Sequence, residues 1–208
     1  YLDKIKSKLG YNKLPDISKA NSKSWETIYT KQHLEFYDKY EEKLKNIKII
    51  DIASGSGAFL NQAFDYLLEE HQWLNQQRDI LKDRYMSIDS LETVQKNILK
   101  NNLFGVDLNE ESVEITKLSL WLKTANRNKP LTNLDDNIKC GNSLIDSPEI
   151  ANDKAFNWQE RFDKILDNGG FDVVIGNPPW ISFGLRGVDK LEEKEDQYYR
   201  DNYKSAQY

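Results

Sequence analysis

The spacing of apolar positions changes several times along the chain, and these changes predict a repeated order of strand and helix. Short apolar or β-branched runs at residues 46–53, 102–109, 137–144 and 171–175 predict four strands. Helical spacing follows the first two runs, in "AFLNQAFDYLLEEH" and "EESVEITKLSLWLKTAN", and a short helix is predicted at residues 156–166. Alternating strands and helices predict an α/β fold with a mostly parallel sheet and helices on both faces.

The segments outside this alternation are more polar. The Lys-rich beginning, broken by Gly10 and Pro15, predicts a loop, and the aromatic residues from Trp25 to Tyr40 have the spacing of a helix. Residues 72–101 contain no Gly or Pro and are predicted to be helical. We therefore expect an N-terminal helical extension at residues 1–46, a core at 47–180 and the start of a further region at 181–208.

Composition narrows the class of protein. The chain is 38% hydrophobic and 30% charged, and no apolar run approaches the roughly 20 residues of a membrane span, so no membrane partner is expected. Cys140 is the only cysteine, which predicts an intracellular, cytoplasmic protein. The sequence contains only two histidines, His33 and His71, so Cys and His cannot supply a set of zinc ligands and no metal site is expected. The net charge of −5 has the wrong sign for a domain that grips phosphate backbones by itself.

The glycine turn "DIASGSGAF" follows the first predicted strand. Asp51 ends the strand, and Gly55 and Gly57 occupy the bend, where missing side chains let a ligand approach the backbone. Asp107 ends the second strand, where a carboxylate can accept both hydroxyls of a ribose or can serve as an acid at a helix start. A turn without a ligand and a dinucleotide site are the alternatives, but the gap between Gly57 and Asp107 exceeds the roughly 20 residues of a dinucleotide fingerprint.

The most specific motif is "NPPW", directly after the fourth predicted strand. Its two prolines fix φ and remove two N–H donors. The Asn177 side-chain oxygen and the Pro178 carbonyl can then accept hydrogen bonds from one exocyclic amino group, while Trp180 offers a flat face to a base turned out of its stack. A proline turn without chemistry is the alternative interpretation.

With these motifs the chain resembles the amino-methyltransferases that carry an Asn-Pro-Pro-aromatic motif. Within them it is similar to the adenine-specific enzymes of type IIG restriction-modification systems, in which methyltransferase and endonuclease share one polypeptide. "DIASGSGAFL" resembles their cofactor motif, "LFGVDLNEESVEITKLSLWL" their ribose-binding strand and helix, and "FDVVIGNPPW" their catalytic motif. The resemblance implies a Rossmann-like S-adenosylmethionine-dependent methyltransferase fold, truncated after the fourth strand in a fragment of a longer enzyme.

The resemblance also implies a set of site residues. The implied catalytic residues are Asn177, Pro178, Pro179 and Trp180. The residues implied to bind S-adenosylmethionine are Tyr29, Thr30, Asp51, Ala53, Gly55, Gly57, Phe59, Asp107, Leu108, Asn142 and Ser143. Ile52 and Ser54 replace the usual Pro and Cys of the cofactor motif. Asn142 stands where the family usually has an Asp that contacts the cofactor adenine; an amide can still accept from the adenine amino group, but it is uncharged and also donates.

The implied reaction is methyl transfer from S-adenosylmethionine to the exocyclic amino group of an adenine flipped out of double-stranded DNA. Most contacts with DNA would be made by regions outside this chain, such as the target-recognition domain. Any endonuclease activity would also belong to regions outside it. The mechanism requires no general base and no covalent intermediate. Two alternatives remain: methylation of a protein glutamine or an RNA guanine, and a catalytically silent fragment that only binds cofactor or positions partner domains.

Overall fold

The protein is an α/β structure built on one parallel sheet. The computed structural model describes residues 1–14, 29–81, 90–125, 131–178 and 193–204. Its strands are β1 (Ile49–Asp51), β2 (Leu103–Asp107), β3 (Ile138–Cys140) and β4 (Val173–Ile175). All pairings are parallel, and the strands lie side by side in the order β3-β2-β1-β4. The predicted fold class and the positions of all four strands are confirmed, although each strand is shorter than its apolar run.

Neighbouring residues of a strand point to opposite sides of the sheet, so both faces carry apolar side chains. Helices cover each face and bury these side chains. Ile49 and Leu103 belong to the larger core, whereas Ile50 and Phe104 belong to the second. The larger core is completed by the three long helices, which are α2 (Tyr29–Asn46), α3 (Ala58–Ile80) and α5 (Glu110–Leu122). The second core is completed by two one-turn helices, α7 (Trp158–Arg161) and α8 (Asp163–Leu166).

One helix forms where the sequence predicted a loop. Helix α1 (Leu2–Lys8) packs on the larger core through Leu2, which is buried. The Lys6 ammonium lies 2.7 Å from a carboxylate oxygen of Glu70 and 4.2 Å from the ring centroid of Trp73. The prediction of a loop was wrong here because these contacts reach residues on α3, which local composition does not reveal.

Other elements differ from prediction in their extent. The polar stretch after β1 forms the end of α3 and then α4 (Leu91–Asn97), which continues into a π-helical turn at Ile98–Asn102. The single helix expected at residues 156–166 is interrupted at Phe162, whose ring is buried in the second core. Two further helices are α6 (Pro148–Ala151) and α9 (Glu193–Asn202). In the ranges that the structure describes, no helix has both the length and the apolar character needed to cross a membrane.

Two buried amides fix where β2 and β3 begin. The Asn102 side chain donates to the carbonyls of Leu44, at 3.0 Å, and Ile47, at 2.7 Å. The Asn137 side chain donates to the carbonyl of Leu103 at 2.8 Å. Each such bond contributes about 1 kcal/mol, and losing one partner would leave a buried polar group unsatisfied. Because the starts of the strands are fixed, the ends that carry the candidate site are fixed as well.

Candidate active site

The candidate site lies at the carboxyl edge of the sheet. In a parallel sheet all strands end at the same edge, and ligands of such folds bind in the loops that follow. Four segments meet this description: residues 52–57 after β1, 108–109 after β2, 141–144 after β3 and 176–178 after β4. The predicted residues that the structure describes with their side chains all fall in these segments or directly beside them.

The two glycines of the turn after β1 have different surroundings. Both adopt left-handed backbone angles, with φ +52° at Gly55 and φ +82° at Gly57. A Cβ atom added at Gly55 would meet nothing within 4 Å, whereas one at Gly57 would lie 2.9 Å from Cγ2 of Thr116 on α5. Gly55 therefore leaves open space in which a ligand could approach the backbone, and Gly57 allows the turn to pack closely against α5.

Asp107 supports the glycine turn directly. Its Oδ2 accepts from the Gly55 amide at 2.7 Å, and its Oδ1 accepts from the Asn109 amide at 2.9 Å. Thr116 Oγ1 donates to the Gly55 carbonyl at 2.9 Å from the other side. The cap of α5 is Asn109, whose side chain accepts from the Ser112 amide at 2.8 Å. Each carboxylate oxygen of Asp107 can accept a further hydrogen bond, because a carboxylate has about four lone-pair sites.

Asp51 is a buried carboxyl at the end of β1. Its Oδ1 accepts from the Ala53 amide at 3.1 Å, while its Oδ2 is buried with no hydrogen-bond partner among the described residues. Burial raises the pKa of Asp51, the hydrogen bond from Ala53 opposes that rise, and the nearby Asp107 charge adds to it. An unpartnered buried acceptor is costly, so this position fits a ligand that brings a donor.

Two apolar side chains lie exposed beside the turn. Phe59 is the second residue of α3 and is 49% exposed, and Leu108 follows Asp107 and is 55% exposed. Phe59 lies two residues after Gly57, and Leu108 follows the residue that binds the Gly55 amide, so both positions suit contact with the apolar faces of a ligand bound at this turn. Single exposed apolar residues are common on protein surfaces, so their location carries more weight than their exposure.

The loop after β3 carries Asn142 and Ser143. The backbone amide of Asn142 donates to the Lys154 carbonyl at 2.7 Å. The side-chain oxygen of Asn142 accepts from the backbone amide of Leu144 at 3.0 Å. The Ser143 carbonyl accepts from the indole of Trp158 at 2.9 Å. The backbone of this loop is therefore held from two sides, while the Asn142 and Ser143 side chains remain half-buried.

Helix α9 packs against the same loop, a contact that the sequence analysis did not predict. Tyr203, directly after α9, donates to the Leu144 carbonyl at 2.7 Å, and the Tyr198 hydroxyl donates to the Asp146 carboxylate at 2.7 Å. The tyrosines in "QYYRDNY" were a possible signal, because aromatic residues at helical spacing indicate a packed face.

The predicted catalytic loop leaves the sheet beside the glycine turn. The Ile52 amide donates to the Ile175 carbonyl at 3.1 Å, which joins the ends of β1 and β4. A Cβ atom added at Gly176 would lie 3.0 Å from Cγ1 of Ile52 and 3.8 Å from Oδ1 of Asp51. Asn177 follows immediately and is exposed, as is the next residue, Pro178. The structure thus brings the predicted catalytic and cofactor motifs together at their starting points.

Some predicted site residues are not covered by this description. Pro179 and Trp180 lie outside the described residues. Tyr29 and Thr30 form the first residues of α2, but their side chains lie outside the description. Their assignments remain predictions.

A cleft of about 780 Å³, lined by Ile47, Asp172 and residues of α1, lies at the opposite edge of the sheet. It is separate from the carboxyl ends of the strands, where the candidate site lies.

Comparison with known proteins places this arrangement in a family. The family model described as Eco57I restriction-modification methylase matches residues 101–208. The type II restriction enzyme and methyltransferase RM.Eco57I of Escherichia coli is 32% identical in an alignment 190 residues long, which covers 81% of this chain and 18% of that protein. The putative type II restriction enzyme and methyltransferase RM.MjaORFECS2P of Methanocaldococcus jannaschii is 31% identical in an alignment 180 residues long, which covers 79% of this chain and 14% of that protein.

A third relative aligns over a shorter stretch. The adenine-specific methyltransferase PglX of Lacticaseibacillus casei is 28% identical over 92 residues, which is 44% of this chain and 7% of that protein. The chain thus spans less than a fifth of the length of these relatives. The family match covers β2, β3, β4 and the Asn-Pro-Pro-Trp motif, and the two longer alignments cover most of the chain. This chain therefore belongs to the Eco57I restriction-modification methylase family.

Proposed function

We propose that the protein containing this chain is an S-adenosylmethionine-dependent DNA methyltransferase of a restriction-modification system, and that its target is the exocyclic amino group of adenine. The family and the names of two relatives support methyl transfer in such a system. The name of the third relative supports adenine as the target. Double-stranded DNA would be held mainly by regions beyond this chain, because the chain carries a net charge of −5.

The residues after β1 and β2 fit the methyl donor. S-adenosylmethionine, when bound, supplies a methyl group made electrophilic by a sulfonium. Asp107 would accept the ribose hydroxyls with the lone pairs that its bonds to the Gly55 and Asn109 amides leave unused. The buried Oδ2 of Asp51 would gain a donor, and Leu108 would cover an apolar face.

The loop after β3 fits the purine of the donor. The Asn142 oxygen would accept from an exocyclic amino group, since its bond to the Leu144 amide uses only one of its two lone pairs. Ser143 lies next to it in the same half-buried loop. This assignment follows the resemblance and places purine recognition beside α9.

The loop after β4 would hold the target base. The Asn177 oxygen and the Pro178 carbonyl would accept from the adenine amino group and stabilise the positive charge that develops on its nitrogen. Pro178 cannot donate from its backbone nitrogen, so it presents only an acceptor. Trp180 would stack on the flipped base, a contact worth about 1–3 kcal/mol in other nucleic-acid complexes. These residues orient the amino group rather than accept its proton: the sulfonium would leave as the neutral thioether of S-adenosylhomocysteine, and the methylated nitrogen would then lose one proton to solvent.

One observation carries this proposal: the ends of β1 and β4 are joined. The Ile52–Ile175 hydrogen bond and the close approach of Gly176 to Ile52 support a position of the proposed catalytic motif beside the proposed cofactor turn. Group transfer requires donor and acceptor to be held within contact distance, and loops that follow adjacent parallel strands are suited to this.

The test uses the full-length protein, duplex DNA and S-adenosylmethionine labelled in its methyl group. After digestion of the DNA to nucleosides, we expect the label in N6-methyladenine, and we expect Asn177→Ala to abolish most of it. In parallel reactions that contain a protein or an RNA substrate in place of DNA, label in a glutamine or a guanine would support the alternative substrates instead. Cofactor binding without transfer to any of these would indicate a silent domain.

A further inference from the structure

The cleft at the edge where the strands begin is positively charged, although the chain as a whole carries a net charge of −5. Its volume is about 780 Å³, and it lies between α1, the end of α2 and α8. Four lysines line it, which are Lys8, Lys43, Lys48 and Lys164, and Asp172 is the one carboxylate among the described residues that do so. A concave surface with this balance of charge attracts an anionic partner.

The charges in the cleft are not neutralised within the described part of the chain. Lys8, Lys43 and Lys164 are exposed, and none of them forms an ion pair there. Asp172 uses its two oxygens for uncharged donors, since one accepts from the Lys48 backbone amide at 2.8 Å and the other from the Tyr1 hydroxyl at 3.5 Å. The three exposed ammonium groups can therefore each take up a carboxylate.

Lys48 lies deeper in the cleft and is half-buried. Its ammonium donates to the Asn101 carbonyl. Burial lowers the pKa of Lys48, and the nearby Asp172 charge opposes that change without cancelling it. A further carboxylate brought into the cleft would stabilise the charged form of this lysine.

The positive charge continues along the same edge of the sheet. Lys164 and Ile165 also line a second cleft of about 320 Å³. The two clefts together are lined by seven Lys or Arg side chains and three Asp side chains. One of these acids, Asp163, already accepts from the Lys164 backbone amide at 2.7 Å. The extent of the charge suits a chain with several carboxylates rather than one small anion.

The floor of the larger cleft is aliphatic. Ile47 is buried there, and Ile5, Leu9 and Ile165 are partly buried. Aliphatic side chains donate no hydrogen bonds to phosphate, but they do cover apolar side chains of a peptide, so the floor favours a peptide over a nucleic-acid backbone. The location points the same way, because the proposed target base lies at the other edge, about 10–17 Å away along strands of three to five residues.

We infer that the cleft is a docking site for an acidic segment of the same full-length polypeptide. Asp or Glu side chains of that segment pair with Lys8, Lys43 and Lys164, and its apolar side chains cover the aliphatic floor. The inference goes beyond the proposed function, and only the argument from the position of the target base rests on it.

A tethered segment suits the cleft better than a separate protein. Exposed ion pairs each contribute little, so three of them hold a free partner weakly. A segment of the same polypeptide is present at a high effective concentration, and weak pairs then suffice. The curated relatives provide a precedent in length, because the chain spans less than a fifth of each of them.

The test is carbodiimide crosslinking of the full-length protein at low concentration, without DNA or cofactor. The reagent joins a lysine amine directly to a carboxylate with loss of water, and mass spectrometry of the digest identifies the joined peptides. We expect Lys8, Lys43 and Lys164 to be joined to Asp or Glu residues of one segment outside residues 1–208. A mixture of heavy and light isotope-labelled protein should give crosslinks within one isotope only.

Charge reversal tests whether the lysines hold the segment. Lys43→Glu combined with Lys164→Glu should lower the crosslinking of Lys8 to that segment by about fivefold or more, because two attractive pairs become repulsive. The matched control combines Lys13→Glu with Lys31→Glu. It makes the same change of charge at exposed positions that do not line the cleft, and it should leave the crosslinking of Lys8 unchanged.

Three results would overturn the inference. The first is the absence of crosslinks from the cleft lysines to carboxylates outside residues 1–208. The second is crosslinking between heavy and light copies, which would indicate a dimer. The third is loss of the crosslinks when duplex DNA is added, together with weaker DNA binding by the Lys43→Glu/Lys164→Glu variant, which would identify a nucleic-acid site. None of these measurements uses methyl transfer or cofactor binding, so the proposed function depends on its own test.

Discussion

Replacing Gly57 with alanine should destabilise the protein through two separate effects. The first is backbone strain, because Gly57 has φ +82° and a left-handed conformation costs an L-residue about 1–2 kcal/mol. The second is overlap with α5, because the new methyl group would lie 2.9 Å from Cγ2 and 3.3 Å from Cα of Thr116. Overpacking of this kind costs about 1–3 kcal/mol. The expected loss is therefore about 2–5 kcal/mol, a large share of the roughly 5–15 kcal/mol that stabilises a typical domain.

Gly10 provides the matched control. It has φ +91°, and a Cβ atom added there would meet nothing within 4 Å, so Gly10→Ala should carry only the strain of about 1–2 kcal/mol. Combining Gly57→Ala with Thr116→Ser removes the closest methyl group, Cγ2, but keeps the hydroxyl that donates to the Gly55 carbonyl. That pair should recover about 1 kcal/mol relative to the sum of the single changes.

The measurement is urea unfolding of the 208-residue chain, followed by circular dichroism, for the wild type, the three single variants and the Gly57→Ala/Thr116→Ser pair. The midpoint should fall most for Gly57→Ala and least for Thr116→Ser. Equal losses for Gly57→Ala and Gly10→Ala would refute the role of close packing against α5. Additive losses in the pair would show that the methyl group of Thr116 is not the obstacle.

Three further predictions concern the candidate site. Asp107→Ala should weaken binding of S-adenosylhomocysteine by about 1.5–3 kcal/mol in calorimetry, and an unchanged affinity would contradict the ribose assignment. The same change should lower the urea midpoint of the protein without ligand, because the Gly55 amide loses its acceptor. In the full-length protein, Asn177→Ala should reduce methyl transfer with little effect on cofactor affinity, and transfer at the wild-type rate would disprove the catalytic role. Trp180→Ala should impair binding of the flipped base, and Trp180→Phe should restore much of that binding. Burial raises the pKa of Asp51 above its ordinary value of 3.8, so its contribution to stability is present below that pH and is lost as the pH rises through the raised pKa. Relative to Asp51→Asn, the wild type should therefore lose stability as the pH rises above 3.8, and parallel pH curves would contradict this.

The sequence predicted the candidate site residues well where these residues lie at the carboxyl ends of strands. Asp51 and Asp107 each follow a short apolar run, and parallel strands bring such residues to one edge whatever the details of helix packing. The same reasoning placed Asn177 after the last strand. The positions of the candidate site could therefore be predicted before any contact was known.

Contacts between elements distant in the chain could not be predicted in this way. Helix α1 is held by Glu70 and Trp73, and neither residue marks its own partner in the sequence. The role of Gly57 depends on how closely Thr116 approaches it, and the hydrogen bonds of Tyr198 and Tyr203 to the loop after β3 depend on how α9 docks. Periodicity predicts which face of a helix is apolar, but not which partner it meets.

The hydrogen bond between the Ile52 amide and the Ile175 carbonyl has a consequence for the dynamics of the protein. It joins the turn after β1 to the loop after β4 where both leave the sheet, so a rearrangement that keeps this bond moves only residues after Ile52 in one segment and from Gly176 onward in the other. An amide held in this way exchanges its hydrogen with solvent only when the local structure opens. The exchange rate at Ile52 therefore reports how often the two loops separate, with no substrate present and no label attached.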